Sequence, residues 1–146
     1  MSEQTIAKWH KEARPKPELK DVVVQFGCHL EEVAEMCEAL KIDTLHKIIS
    51  EYADACKKTP ENFAFIFRDM TEGQHSELLD SICDQVVTGT GVGVLLGYDV
   101  DGALGNVNES NWSKFVDGKP VFDQNGKIAK GPNYVKPNLE PFVKQS

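Results

Sequence analysis

Apolar residues recur along most of this chain at the spacing of one helix face, three or four positions apart, rather than alternating as in a strand. Ile6, Trp9 and His10 form a short amphipathic piece within residues 1–18, closed by Arg14-Pro15-Lys16-Pro17. A long helix is predicted from Leu19 to Leu40. Its start, Val22-Val23-Val24-Gln25-Phe26, is apolar nearly all round, and a stripe of Phe26, Leu30, Val33, Cys37 and Leu40 follows. Asp43 reads as the N-cap of a helix to about Lys57, with Leu45, Ile48, Ile49, Tyr52 and Cys56 as its apolar face. Thr59-Pro60-Glu61-Asn62 is a proline-at-N1 start leading into the apolar segment Phe63 to Phe67. Further helices are expected from about Gly73 to Gly97 and from about Asp101 to Phe115. After that the texture changes. Asn125-Gly126 marks a tight hairpin, proline and glycine dominate, and a short turn closes near Leu139.

The predicted fold is therefore all-α, an antiparallel helical bundle with a small irregular or hairpin C-terminal arm. It is expected as one domain over residues 1–146, made of an N-terminal segment (1–18), a helical core (19–115) and the arm (116–146). Gly89, Gly93 and Gly97 recur every four residues and predict a close helix approach along one face. The cluster does not fit a dinucleotide loop, because its spacing is G-x-G-x-G and it follows a helical segment instead of a strand. Asp99-Val100-Asp101-Gly102 is no EF-hand: the glycine comes too early and position twelve is Ser110.

Charge changes the picture. The net charge of −7 argues against a nucleic-acid partner and against anionic lipid. No apolar run approaches the roughly 20 residues of a membrane span, and the N-terminus lacks a signal-peptide layout. Cys28, Cys37, Cys56 and Cys83 sit singly in helical patterns and read as small buried hydrophobes of a reducing, cytoplasmic protein. The acids are placed unevenly. No Lys or Arg occurs from Asp21 to Leu40, a run holding Glu31, Glu32, Glu35 and Glu38, or from Asp69 to Ser113, which holds Glu77, Asp80 and Asp84. A solvated helix ordinarily mixes signs. Two faces of one sign are either exposed acidic surfaces or carboxylates whose counter-charge is a hard divalent cation. Glu32 and Glu35, like Glu77 and Asp80, are three apart and project from one side of their helix. Should the helices pack side by side, four carboxylates would face each other. A magnesium-type ion would relieve that repulsion while keeping open positions for water and phosphate oxygens.

Glu31-Glu32-Val33-Ala34-Glu35 followed by Glu77-Leu78-Leu79-Asp80 resembles the motif pair of the all-α MazG-like nucleoside triphosphate pyrophosphohydrolases. The later segments Asn111-Trp112-Ser113-Lys114 and Gly126-Lys127-Ile128-Ala129-Lys130-Gly131 resemble the phosphate-side arm of a subgroup that includes viral members. The resemblance covers roughly Val24 to Leu139. It implies hydrolysis of a (d)NTP between the α and β phosphates, dependence on Mg²⁺ or Mn²⁺, and a homo-oligomer, dimer or tetramer, in the cytoplasm (the host's, for a viral protein). It implies Glu32, Glu35, Glu77 and Asp80 as metal ligands, with Asp84 a further ligand or a surface acid. Glu31 would be another ligand or would hold the attacking water, so that Glu31, Glu32 and Glu35 form the catalytic set. Asn111, Lys114, Lys127 and Lys130, with Tyr134, would contact the nucleotide and its phosphates. Residues 36–76, between the two acidic motifs, exceed the family's usual interval, so no base-recognition residue carries over; Trp9, His29, Trp112 and Tyr134 remain stacking or packing residues. Two alternatives stay open: an acidic helical interaction module with no activity, and a hydrolase of a phosphoribosyl-nucleotide.

Overall fold

A computed structural model describes residues 3–143. Met1 and Ser2, at the start of the N-terminal segment, and residues 144–146, at the end of the predicted arm, lie outside the described residues. The fold is all-α. Among the described residues seven α-helices occur: α1 (Glu3–Ala13), α2 (Leu19–Ala39), α3 (Asp43–Lys58), α4 (Phe65–Arg68), α5 (Glu72–Leu95), α6 (Val100–Trp112) and α7 (Glu140–Val143). A 3₁₀ turn, Pro60–Asn62, precedes α4, and an isolated antiparallel bridge joins Val116 and Lys119.

The chain divides into two compact units. One comprises residues 1–15, 71–121 and 128–146; the other comprises Lys16–Met70 and Phe122–Lys127. The second unit is built on α2 against α3. Val23, Gly27, Ala34 and Cys37 are the buried residues of α2, and Ala53 and Cys56 those of α3. Small residues at the crossing let the backbones approach. A Cβ on Gly27 would stand only 2.9 Å from the carbonyl oxygen of Ala53 and 2.9 Å from Cγ of Lys57. This close approach also explains a difference from the sequence pattern. The strip of α3 facing α2 runs through His46, Ile49, Ala53 and Cys56, so Leu45, Ile48 and Tyr52 are left exposed at its side. His46 Nδ1 donates to the carbonyl of Ala34 at 2.9 Å. The aromatic segment closes one end: Phe67 meets Phe26 edge-on and Phe63 meets Tyr52, with ring centroids 5.7 and 5.5 Å apart.

Helix ends follow local chemistry. Asp43 is not the N-cap of α3; Ile42 holds that position and Asp43 lies in the first turn, where its charge complements the helix dipole. The preceding reversal takes Lys41 to φ 61°, and the Ile42 amide donates to the carbonyl of Cys37. Helix α5 starts one residue before the expected Gly73, because Thr71 and Gln74 form a capping box: Thr71 Oγ1 accepts from the Gln74 amide and Gln74 Oε1 accepts from the Thr71 amide. Asp99 caps α6 by accepting from the Gly102 amide.

The glycine row does not form the expected continuous packing face. A Cβ on Gly89 or Gly91 would meet nothing within 4 Å, whereas on Gly93 it would run into Val100. Gly97 lies beyond α5 at φ 83°, so it serves to end the helix. Within its unit α5 buries no residue. The core of that unit is aromatic. Trp9 stacks on Phe115 (centroids 5.8 Å), Trp112 meets Phe115 edge-on, and Trp9 Nε1 donates to the carbonyl of Asn111. The arm is tied down by the Val135 amide on Ser113 Oγ, the Asn138 amide on Asn106 Oδ1 and the Asp99 amide on the carbonyl of Phe142.

Two glycine substitutions should move stability in opposite directions. Gly27→Ala is expected to cost about 1–3 kcal/mol through overpacking at the α2–α3 crossing. Gly89→Ala, in an open helix interior, is expected to gain about 0.5–1 kcal/mol. Urea unfolding of both variants reads the signs, and a neutral Gly27→Ala would contradict the close approach.

Candidate functional site

One unbroken helix, α2, carries Glu31, Glu32, Glu35 and Glu38; Glu32 and Glu35 point away from its buried strip of Val23, Gly27, Ala34 and Cys37, and Glu31, one turn from Gly27, lies at the edge of that strip. Glu32 and Glu35 are exposed; Glu31 is half-buried. Glu31 does not await a counter-charge from outside the chain. Its Oε1 lies 2.7 Å from Nζ of Lys57 and its Oε2 lies 3.2 Å from Nζ of Lys127. The two ammonium groups come from different segments. Lys57 stands in the last turn of α3, its side chain 16% exposed, with its stem laid against Gly27. Lys127 stands in the loop of the predicted hairpin.

That loop is built as the Asn-Gly signal implies. Gly126 takes φ 75°, the Asp123 amide donates to the carbonyl of Lys127, and Asp123 Oδ1 accepts from the amides of Asn125 and Lys127. The side chain of Asp123 therefore closes the turn from inside, as aspartates do.

Burial works against the charge on Glu31, but hydrogen bonds from Lys57 and Lys127 outweigh it and hold the carboxyl below its usual range. Burial likewise opposes the charge on Lys127, and its hydrogen bond to Glu31 prevails and raises it; Glu32 adds to the same effect. Cys28, half-buried on α2, has its thiol pushed up by burial against the pull of Lys127 and Lys57. It stays a neutral thiol and hence a poor nucleophile. Of the other cysteines, Cys37 and Cys56 are buried as expected, but Cys83 is exposed on α5.

The remaining predicted residues lie in the other unit. Glu77, Asp80 and Asp84 are exposed along α5. Within each unit, no three His, Cys, Asp or Glu side chains among the described residues gather as a metal-holding group. Asn111 and Lys114 are joined, Nζ to Oδ1 at 2.8 Å, across the last turn of α6. Lys130 lies over the ring of Tyr134, 5.1 Å from its centroid, as a cation–π pair. Trp9 belongs to the aromatic core, with Trp112 packed against it, so packing is their role here. The part of the site that the sequence did not reveal is Lys57. Its signal was weak: it directly follows Cys56 of the predicted apolar face, and only the register of α3 on α2 brings it to Glu31.

A scan against protein-family models, a search of curated proteins and a search of solved structures each found no match to this chain.

The Glu31 pairing has a pH signature. A carboxyl depressed in the folded state adds stability that is complete above its unfolded value of about 4.3 and is lost as pH falls through the folded one. Denaturant unfolding as a function of pH is therefore expected to show a steeper acid loss, below about pH 5, for the parent protein than for Glu31→Gln. Parallel curves would show that the two ion pairs do not persist in solution.

Proposed function

We propose that this protein is a nucleoside triphosphate pyrophosphohydrolase that cleaves a (d)NTP to the monophosphate and pyrophosphate with Mg²⁺ or Mn²⁺. The reading rests on the motif resemblance and on one structural observation. Lys127, which the resemblance makes a phosphate contact, lies against Glu31, which it makes a catalytic carboxylate, although 96 positions separate them in the chain. An acidic helix with a basic loop seated beside it suits a substrate that is both an anion and an acceptor of attack by water.

The donor set fits a hard divalent cation. Glu32 and Glu35 on α2, and Glu77 and Asp80 on α5, are carboxylates at i, i+3 spacing, exposed to ligand, with no thiolate or imidazole in the set. On the resemblance these four residues would hold the ion, with Asp84 a further donor or a surface acid, and the ion would neutralise charge on the phosphates. In the hydrolytic step a water oxygen bonds to one phosphorus of the α–β anhydride. A carboxylate of the Glu31, Glu32, Glu35 run takes the water's proton, and the bridging oxygen departs with the other product. Lys127 and Lys130, with Lys114 oriented through Asn111 and Tyr134 beneath Lys130, supply charge along the phosphate chain. The antiparallel bundle, a dimeric or tetrameric assembly and a cytoplasmic location belong to the same proposal. Among the described residues, no helix is long and apolar enough to cross a membrane.

The interaction-module reading is favoured by one feature, the apolar side chains along α5, where Leu79 and Val87 are 63% and 68% exposed. Pyrophosphate release decides between the two. Incubation with a panel of NTPs and dNTPs in Mg²⁺ or Mn²⁺ is expected to release pyrophosphate from at least one nucleotide, and Asp80→Asn is expected to abolish turnover with unchanged helix content. No release from any nucleotide favours the module, and activity in Asp80→Asn refutes the ligand assignment.

A further inference from the structure

Beside the Glu31 pairings, the second unit contains a cavity of about 230 Å³. Its polar lining comes from α3 and from the 122–127 loop: Lys57, Lys58 and Asp54 on one side, Lys127, Asp123 and Asn125 on the other. Ligand pockets for whole small molecules usually enclose roughly 300–1,000 Å³, so this space suits a small, highly charged group more than an entire nucleotide. Three lysines line it, and the ammonium group of each is paired with a carboxylate. Glu31 binds Lys57 and Lys127, and Asp54 lies 3.7 Å from both Lys57 and Lys58. The carboxylate of Asp123 is turned to the loop backbone through Oδ1.

We propose that Lys57, Lys58 and Lys127 form a subsite for the condensed phosphate of the substrate, and that Glu31 is its resident anion, displaced when phosphate enters. This rests on the hydrolase reading above and adds to it Lys57, Lys58 and an exchange of partners. The geometry supplies the reason. A carboxylate bridging two ammonium groups occupies the position a phosphate group would take, since both present oxygens that accept charge-assisted hydrogen bonds. A di- or triphosphate carries more charge than one carboxylate and attracts the two lysines more strongly at the same distance. Because the carboxylates of Glu31, Asp54 and Asp123 balance the three lysines, the site gains a net positive charge only when Glu31 leaves. The displaced Glu31 is then released toward Glu32 and Glu35 on the same helix face, where the hydrolytic step needs a carboxylate. Gly27 is a positioning residue for this subsite, because its missing side chain leaves room for the stem of Lys57.

The test is calorimetric titration of the full chain with inorganic tripolyphosphate in EDTA, so that no divalent ion takes part. Lys57→Gln and Lys127→Gln are expected to weaken binding about tenfold or more, the loss of one charge-assisted hydrogen bond, and Lys58→Gln less than either. Lys57→Arg, which keeps the charge, is expected to retain most of the affinity. Glu31→Gln is expected to bind several-fold tighter than the parent, since it removes the competing anion. Should Glu31→Gln bind no better than the parent, or Lys57→Gln and Lys127→Gln bind as well as the parent with melting curves showing all three folded, the proposal is overturned. A dNTP is expected to compete with tripolyphosphate where the corresponding nucleoside does not, which assigns the subsite to the nucleotide tail; absence of competition would overturn that assignment. The outcome is independent of turnover. Tighter tripolyphosphate binding by Glu31→Gln without pyrophosphate release from any nucleotide would sustain the subsite and refute the hydrolase. Release from a nucleotide with unaltered binding by the lysine variants would do the reverse.

Discussion

The missing side chain at Gly27 governs the second unit. Because no Cβ stands between α2 and α3, the Ala53 carbonyl and the Cys56 side chain come within about 3 Å of where it would be. Helix packing at that range depends on small residues at the crossing, and Ala34, Ala53 and Cys56 complete the strip. Everything chemical in this unit follows from the crossing. It sets the register that lays the Lys57 stem against α2 and delivers its ammonium group to Glu31. The free energy of burying apolar surface is thus used to hold a charged pair that would be nearly worthless if exposed.

The Glu31 bridge in turn joins the 122–127 loop to the α2–α3 pair. A carboxylate that accepts from two lysines is stabilised in its charged form despite partial burial, and Lys127 is stabilised by it in turn. Such a three-group arrangement is more than a surface ion pair. It ties a basic loop to α2 and α3 through charge. The first unit works differently. There an aromatic cluster of Trp9, Trp112 and Phe115 supplies the core, and backbone amides of the arm are satisfied by the side chains of Ser113 and Asn106.

Local signals were the most legible. The spans of α2 and α3, the proline start at Pro60 and the Asn125–Gly126 turn could be read from periodicity and turn chemistry, because both act within a few residues. Two helix starts differ from the pattern by one residue: the chain reverses before Asp43, which leaves Ile42 as the cap, and the Thr71–Gln74 capping box starts α5 ahead of Gly73. The glycine row differs for a tertiary reason. Spacing by four is necessary for a small-residue packing face but does not create the neighbour, and Gly89 and Gly91 have none within 4 Å among the described residues.

The sequence alone determined the all-α class, most helix boundaries, and the presentation of Glu31, Glu32 and Glu35 on one helix and of Glu77, Asp80 and Asp84 on another. These depend on interactions three or four residues apart, which a linear pattern records directly. Only the tertiary structure decided that Glu31 is bridged by Lys57 and Lys127, that the apolar strip of α3 is rotated so that Leu45, Ile48 and Tyr52 lie outside it, and that three lysines share one cavity. Those outcomes depend on how closely two helices approach and on where a loop closes in space. Both are set by the packing of residues far apart in the chain, which no local periodicity encodes.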